Sequence, residues 1–272
     1  MTDTRFIVVR HGETAWNAAG LIQGHLDSPL NEEGLAQAIL LGERLARERF
    51  DAIYCSDQGR VLQTIQPLVD RTGMQPNRSE RLRERNLGVF QGLDSRQCQQ
   101  RYPQDYARFH GRDPDHVVPQ GESIRQVYAR VSGLFGELAT RHAGQQLLVV
   151  THGGILDSLY RFVTGMALDR RRDFPIYNAS LNIVRERAGS GADSEHGERH
   201  EPVIPHHERP PWSDASGSCV PSRLYFVLLI LQEGNEPGPR RLTRRPPPCA
   251  GARAASRARG RRRRRRRRGS AS

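Results

Sequence analysis

Residues 6–17 read FIVVRHGETAWN. Four apolar residues, Phe6 to Val9, run directly into Arg10-His11-Gly12, two bulky basic side chains and a glycine. A short continuous apolar run bounded by turn residues reads as a buried strand. The stretch LLVVTHGG at 147–154 repeats the pattern, with Leu147–Val150 running into Thr151-His152-Gly153. Two buried strands far apart in the sequence each deliver a histidine at their C-terminal ends.

Strand-like and helix-like patterns alternate between and around them. Residues 31–50 space Leu35, Ile39, Leu41 (or Ala38) and Leu45 at helical intervals. Residues 51–56 read as a short strand that ends at a Ser-Asp helix start. Residues 58–73 read as a helix closed by Gly73, with Pro67 expected to bend it or cut it short. A strand-like piece runs toward 81–84, and 94–118 read as a short helix plus loop. Residues 122–142 form a long amphipathic pattern with Ile124, Val127, Val131, Leu134 and Leu138 on one side. A helix at 155–165 follows the second His-Gly, and a last strand lies near 180–186. Alternating β and α elements predict an α/β fold, a mostly parallel sheet with helices on both faces. Ligands of such sheets bind beyond the C-terminal ends of the strands. Arg10, His11 and His152 are therefore expected at that rim.

All 42 basic residues of the 272 are arginine, and the formal net charge is +12. Residues 1–187 hold 24 Arg against 22 Asp+Glu, whereas 188–272 hold 18 against 8. The basic excess thus belongs to the last segment, which is rich in Arg, Pro, Gly and Ser and lacks periodicity. Such composition buries too little apolar surface to offset chain entropy. The expected organisation is a catalytic domain at 1–187 and a tail without structure at 188–272. A shifted reading frame near residue 188 would explain so abrupt a change, and a strand-like continuation in another frame of the gene would demonstrate it. The Arg261–Arg268 run would attract nucleic acid at low salt. It has no stacking aromatics or nucleic-acid-binding fold motif beside it, so no such partner is expected.

The cysteines Cys55, Cys98, Cys219 and Cys249 form no C-x-x-C pair, so free thiols in a reducing cytoplasm are expected, with no zinc or redox motif. The N-terminus lacks a basic stretch followed by a long apolar one, so a secretory signal is not expected. The late apolar run LYFVLLIL at 224–231 is too short to span a bilayer, which takes about 20 residues. His206-His207 lacks spaced acidic or cysteine partners for a metal.

The rim residues suit a phosphate. Arg10 offers a forked donor pair to two of its oxygens. A neutral His11 is a nucleophile for phosphorus. Arg60 lies in the first turn of a helix whose N-terminal amides favour anions, and His152 adds a donor to developing negative charge. Glu84, between Arg83 and Arg85, is the candidate proton donor for the leaving oxygen. Two of them have a plainer reading: Arg60 as decoration of a helix surface, and Glu84 as a partner of its arginine neighbours and nothing else.

Six stretches, RHGETAWN (10–17), IQGHLDSPLNEEG (22–34), SDQGRVLQT (56–64), LRERNLGVFQG (82–92), GES (121–123) and THGG (151–154), occur in one order over residues 1–187. Together they resemble the histidine phosphatase superfamily, in its phosphoglycerate-mutase-like branch. The resemblance implies a three-layer sandwich of the phosphoglycerate-mutase-like type. It implies that His11 is phosphorylated, that Arg10, Arg60 and His152 form the phosphate pocket, and that Glu84 is general acid and then base. It places Asn17, Gln23, Gly24 and Gly153 on the substrate side, although Asn17 and Gln23 could equally cap turns. It implies no metal and no organic cofactor, beyond a phosphorylated primer if the enzyme is a mutase. It also departs from the family: relatives continue past SLNIVRE into one more strand, where this chain begins its arginine-rich tail, and without that strand the sheet would lack an edge.

Phosphomonoester hydrolysis through a phosphohistidine is the expected activity, on a small phosphorylated metabolite. The alternative is a cofactor-dependent phosphoglycerate mutase, in which a second hydroxyl of the substrate accepts the phosphoryl group. In the family it resembles, cofactor-dependent mutases usually carry a longer insertion between the positions of Glu84 and His152, which closes the site against water; the short segment here favours the phosphatase. A non-enzymatic binding protein with an arginine-rich tail is the third reading. The set Arg10, His11, Arg60, Glu84 and His152 argues against it, because a binding module needs neither a nucleophile nor an acid.

Overall fold

A computed structural model of the chain describes residues 3–186 and 224–227. They fall in one compact unit, Met1–Gln232; the second unit, Glu233–Ser272, lies outside the described residues. The strands are β1 (Thr4–Arg10), β2 (Ala52–Cys55), β3 (Asn77–Arg78), β4 (Gln146–Thr151), β5 (Leu181–Glu186) and β6 (Leu224–Val227). The helices are α1 (Ala15–Ala18), α2 (Glu32–Leu45), α3 (Gly59–Thr72), α4 (Ser95–Arg101), α5 (Pro103–His110), α6 (Ile124–Arg141) and α7 (Gly153–Thr164). The sheet order is β3-β2-β4-β1-β5-β6. Strands β3, β2, β4 and β1 run parallel, and β5 is antiparallel to both β1 and β6.

Both faces of the sheet are covered, as a mostly parallel sheet requires. Alternate residues of each strand point to opposite faces. Phe6, Val8, Leu147, Val149 and Val184 pack with α6 and α7. Ile7, Val9, Ile53, Cys55, Leu148, Val150 and Ile183 pack with α2 and α3. A smaller cluster of Phe90, Cys98 and Val118 joins α4 and α5 beside the site. Cys55 and Cys98 are free and buried, and Cys219 and Cys249 lie outside the described residues.

Four local expectations change. The buried face of α2 is Gly34, Ala38, Leu41, Gly42 and Leu45, while Leu35 and Ile39 are exposed, because α2 meets α3 along its glycine side. There a Cβ on Gly42 would stand 2.9 Å from the Pro67 Cβ. That close packing holds α3 unbroken through Pro67 despite the N–H the proline lacks. The strand expected near 81–84 is a two-residue strand followed by a 3-10 turn, Glu80–Leu82, started by Ser79, whose side chain accepts from the Arg81 N–H. Residues 94–118 carry two helices, since Asp94 and Gln97 form a capping box and Pro103 begins the second.

Strand β6 falls inside 188–272, the stretch expected to be without structure. It pairs with β5 in the register Ile183↔Val227 to Glu186↔Leu224, so β5 is not an edge. Its sequence comes from the apolar run LYFVLLIL, whose aromatic and β-branched residues favour a strand. The remaining residues of that stretch lie outside the described ones. Among the described residues, no helix is long and apolar enough to cross a membrane.

Candidate active site

The register of β1 and β4 pairs Arg10 with Thr151. The residue just past each strand is a histidine, and the His11 N–H donates to the Thr151 carbonyl at 2.9 Å. The His11 and His152 rings meet edge to face, 5.2 Å apart. Both are buried. His11 Nδ1 lies 2.8 Å from the Gly12 carbonyl, which can only accept, so the proton sits on Nδ1 and the lone pair on Nε2. Burial, with the Arg10 and Arg60 guanidiniums adding to it, pushes the His11 imidazole down to about 3. His152 is pushed well below its ordinary value by burial first, then by Arg60 and His11. Both rings are neutral at pH 7, as a nitrogen nucleophile requires.

The loop carrying His11 is tightly held. The Gly12 N–H donates to Thr64 Oγ1 at 2.9 Å, and Asn178 Nδ2 donates to the carbonyls of His11 and Gly12 at 3.0 and 3.1 Å. The first turn of α2 presses on the same loop: a Cβ on Gly34 would stand 1.9 Å from the Glu13 carbonyl oxygen. On the other side, Ser56, just beyond β2, places its Oγ 2.9 Å from His152 Nε2.

Arg60 is not a surface ornament. Its guanidinium is buried and bonds Asp27 at 2.8 Å, the Gly24 and Leu26 carbonyls at 2.8 and 3.1 Å, and Gln58 Oε1 at 3.1 Å. The N-terminal turn of α3 faces the Asp27 carboxylate rather than open space, since the Arg60 N–H lies 3.4 Å from Asp27 Oδ1. The helix N-terminus that borders the site is that of α7. Arg10 donates through Nη1 to the Ile176 carbonyl at 2.6 Å. A Cβ on Gly153 would stand 3.4 Å from Arg10 Nε, so the bare glycine leaves room beside the guanidinium.

Glu84 does not pair with its arginine neighbours. Arg81 goes to Glu137, Arg83 to Asp57 and Glu80, and the Arg85 side chain to the Glu122 carbonyl. The Glu84 carboxylate instead accepts from the backbone N–H groups of Arg85 at 2.8 Å and Gly154 at 2.9 Å, which brings it to the α7 N-terminus. Thr151 Oγ1 donates to the Leu82 carbonyl at 2.8 Å and so ties the Glu84 segment to the end of β4.

The substrate-side residues are divided. Asn17 Oδ1 accepts from the Thr14 N–H at 3.2 Å, in the box that caps α1, and also from Asn178. Gly24 adopts a φ of +56°, and its carbonyl serves Arg60 and Gln58. Gln23 is buried with its Oε1 unpartnered, and Gly153 opens α7.

Seven buried side-chain polar atoms among the described residues lack a hydrogen-bond partner, and four of them are Arg10 Nε, Arg60 Nε, His152 Nδ1 and Gln23 Oε1. Buried polar groups are ordinarily paired. Three of the four, Arg10 Nε, Arg60 Nε and His152 Nδ1, are nitrogens that can donate to an anion, whereas Gln23 Oε1 can only accept. Among the described residues, no group of three His, Cys, Asp or Glu side chains could hold a metal ion.

The sequence reading missed Ser56, Gln58, Asp27, Thr64 and Asn178, which position the others. Polar residues that act by tertiary hydrogen bonds leave no periodicity to read. Ser56, Asp27, Gln58 and Thr64 do lie inside quoted stretches, beside the residues they hold.

The chain is 38% identical over 188 residues to the metal-independent phosphoserine phosphatase of Arabidopsis thaliana, covering 68% of this chain and 77% of that one. It is also 38% identical over 182 residues to phosphoglycerate mutase-like protein 4 of the same plant, covering 66% and 78%. Among solved structures, Bacillus stearothermophilus YhfR superposes with a TM-score of 0.65 at 32% identity, covering 69% of this chain and 93% of that one. The model of the histidine phosphatase superfamily (branch 1) matches residues 6–195, and the chain belongs to that family as an enzyme of phosphatase and phosphoglycerate mutase-like kin.

Proposed function

We propose that this chain hydrolyses the phosphate ester of a small phosphorylated metabolite through a phosphohistidine at His11. The observation that carries the reading is the His11 ring, whose Nδ1–H is committed to the Gly12 carbonyl and whose Nε2 lone pair stands among Arg10, Arg60 and His152. In the first step Nε2 bonds to phosphorus and the ester P–O bond breaks. Glu84, protonated at that moment, gives its proton to the departing alcohol. In the second step water attacks the phosphohistidine, Glu84 takes the water's proton, the P–N bond breaks and phosphate leaves. Arg10, Arg60 and His152 stabilise the charge spread over the equatorial oxygens, the principal task of a phosphoryl-transfer site. Gly153 at the start of α7 leaves room for the phosphate beside the Arg10 guanidinium, and Gly154 leaves room for the Glu84 carboxylate that its N–H holds.

The test is phosphate release in EDTA from a panel of phosphomonoesters that includes 3-phosphoglycerate, with His11→Ala as control. Release by the native chain, its loss in the variant, and an acid-labile phosphoenzyme trapped by rapid quench are expected. Release that persists in a folded His11→Ala protein would overturn the reading. Conversion of 3-phosphoglycerate to its 2-isomer, faster than phosphate release, would instead establish the mutase.

A further inference from the structure

Residues 84–87 belong to no helix or strand, so the segment that carries Glu84 must pair its backbone with something else. It pairs with side chains. Arg130, on α6, donates through Nη1 to the carbonyls of Arg81 at 2.8 Å and Arg83 at 2.9 Å. Glu122 Oε2 accepts from the Asn86 N–H at 2.8 Å. The two side chains are themselves joined at two points, Arg130 Nη2 to Glu122 Oε2 at 3.0 Å and Arg130 Nε to Glu122 Oε1 at 3.3 Å. This forked pairing is the most directional an ion pair offers. One ion pair therefore grips the chain on both sides of Glu84. Between the grips, His25 Nε2 donates to the Glu84 carbonyl at 2.8 Å and the Glu84 N–H lies 3.2 Å from Gln58 Oε1. Among the described residues, every hydrogen bond of the Arg130 guanidinium goes to Glu122 or to carbonyls of this segment.

We propose that the Glu122–Arg130 pair is a positioning device for the acid, fixing where the Glu84 carboxyl meets the leaving oxygen. The inference rests on the reading of Glu84 as general acid. Such an acid works only within hydrogen-bond reach of the oxygen it protonates. Two N–H groups aim the Glu84 carboxylate, those of Arg85 and Gly154, and the first belongs to the gripped segment. A slack segment therefore displaces both the Glu84 backbone and one of the two donors that orient its side chain. Glu122 and Arg130 act through Glu84 and are not catalytic themselves. Their loss is felt where the leaving oxygen needs a proton, and hardly at all where it departs as a stable anion.

The experiment compares two substrates of the full chain by kcat/KM, which covers the steps through departure of the alcohol. Glycerol 1-phosphate loses an alkoxide that must be protonated, whereas p-nitrophenyl phosphate loses a stabilised phenolate. Arg130→Met keeps the apolar stem and removes the guanidinium. It is expected to lower kcat/KM about 100-fold for glycerol 1-phosphate and within about threefold for p-nitrophenyl phosphate. Glu122→Gln, of the same size, is expected to show the same selective loss at about tenfold, and it decides the question if Arg130→Met does not fold. Glu84→Gln is the reference for a missing acid. A selective loss in Glu84→Gln, with equal losses on both substrates or none in the pair's variants, would overturn the positioning role alone. A Glu84→Gln protein that loses both substrates equally would remove Glu84 as the acid, and the positioning role with it.

Discussion

Gly34→Ala tests whether the packing of α2 sets the position of the nucleophile. The added Cβ would stand 1.9 Å from the Glu13 carbonyl oxygen, and about 3.0 Å is the closest approach real Cβ atoms show. Something must move by about 1 Å, and the neighbour is backbone, not the end of a flexible side chain. Glu13 cannot yield cheaply, because its carbonyl accepts from the Asn31 N–H at 3.0 Å. Overpacking of this kind costs about 2 kcal/mol, which in a domain of this size lowers Tm by roughly 4–8 °C. Glu13 lies two residues from His11, and a shift of about 1 Å at a reacting group costs about 100-fold in rate. The assays are thermal unfolding by circular dichroism and hydrolysis of p-nitrophenyl phosphate. Gly136→Ala is the control: it lies inside α6 with nothing within 4 Å of the new Cβ. That control is expected to gain about 1 kcal/mol and keep full activity. A Gly34→Ala protein with native Tm and native kcat/KM would refute the argument.

Acid should destabilise the fold through its buried histidines. His11 and His152 are both shifted below the unfolded value of 6.5, His11 to about 3. The unfolded chain therefore binds more protons as pH falls, so the stability present above 6.5 is lost on acidification toward 3, by up to about 1.4 kcal/mol per pH unit for each ring. Denaturant melts from pH 7 to 5 should show His11→Asn losing less stability than the native chain, and parallel losses would contradict the assignment. Asn178→Ala removes the donor to the His11 and Gly12 carbonyls. A fall in stability of about 1–2 kcal/mol with a larger fall in kcat than rise in KM is expected, and unchanged kinetics would show that Asn178 does not position the nucleophile.

The apolar runs at 6–9 and 147–150 lie in β1 and β4, and the turn residues after them marked where each strand ends. Where the residues carried their own signal, as in the amphipathic pattern of α6, the sequence was legible. It was not legible where partners decide. The spacing in α2 put Leu35 and Ile39 on the inner face with Leu45, and only contact with α3 selected the face bearing Gly34, Ala38 and Leu45. Proline in α3 predicted a break that packing against Gly42 prevents. The short β6 pairing with β5 depends on a distant strand, and composition is blind to that.

The sequence alone determined the α/β order and singled out the candidate residues Arg10, His11, Arg60, Glu84 and His152, because they lie at strand ends and in ordered motifs. Tertiary structure decided their states. The pairing of Arg10 with Thr151 sets the two imidazoles edge to face. Burial removes their protons, the Gly12 carbonyl chooses the His11 tautomer, and the start of α7 captures Glu84 through the Gly154 N–H. Desolvation, tautomer choice and hydrogen bonds between distant segments are properties of the space around a residue, which exists only after the chain has folded.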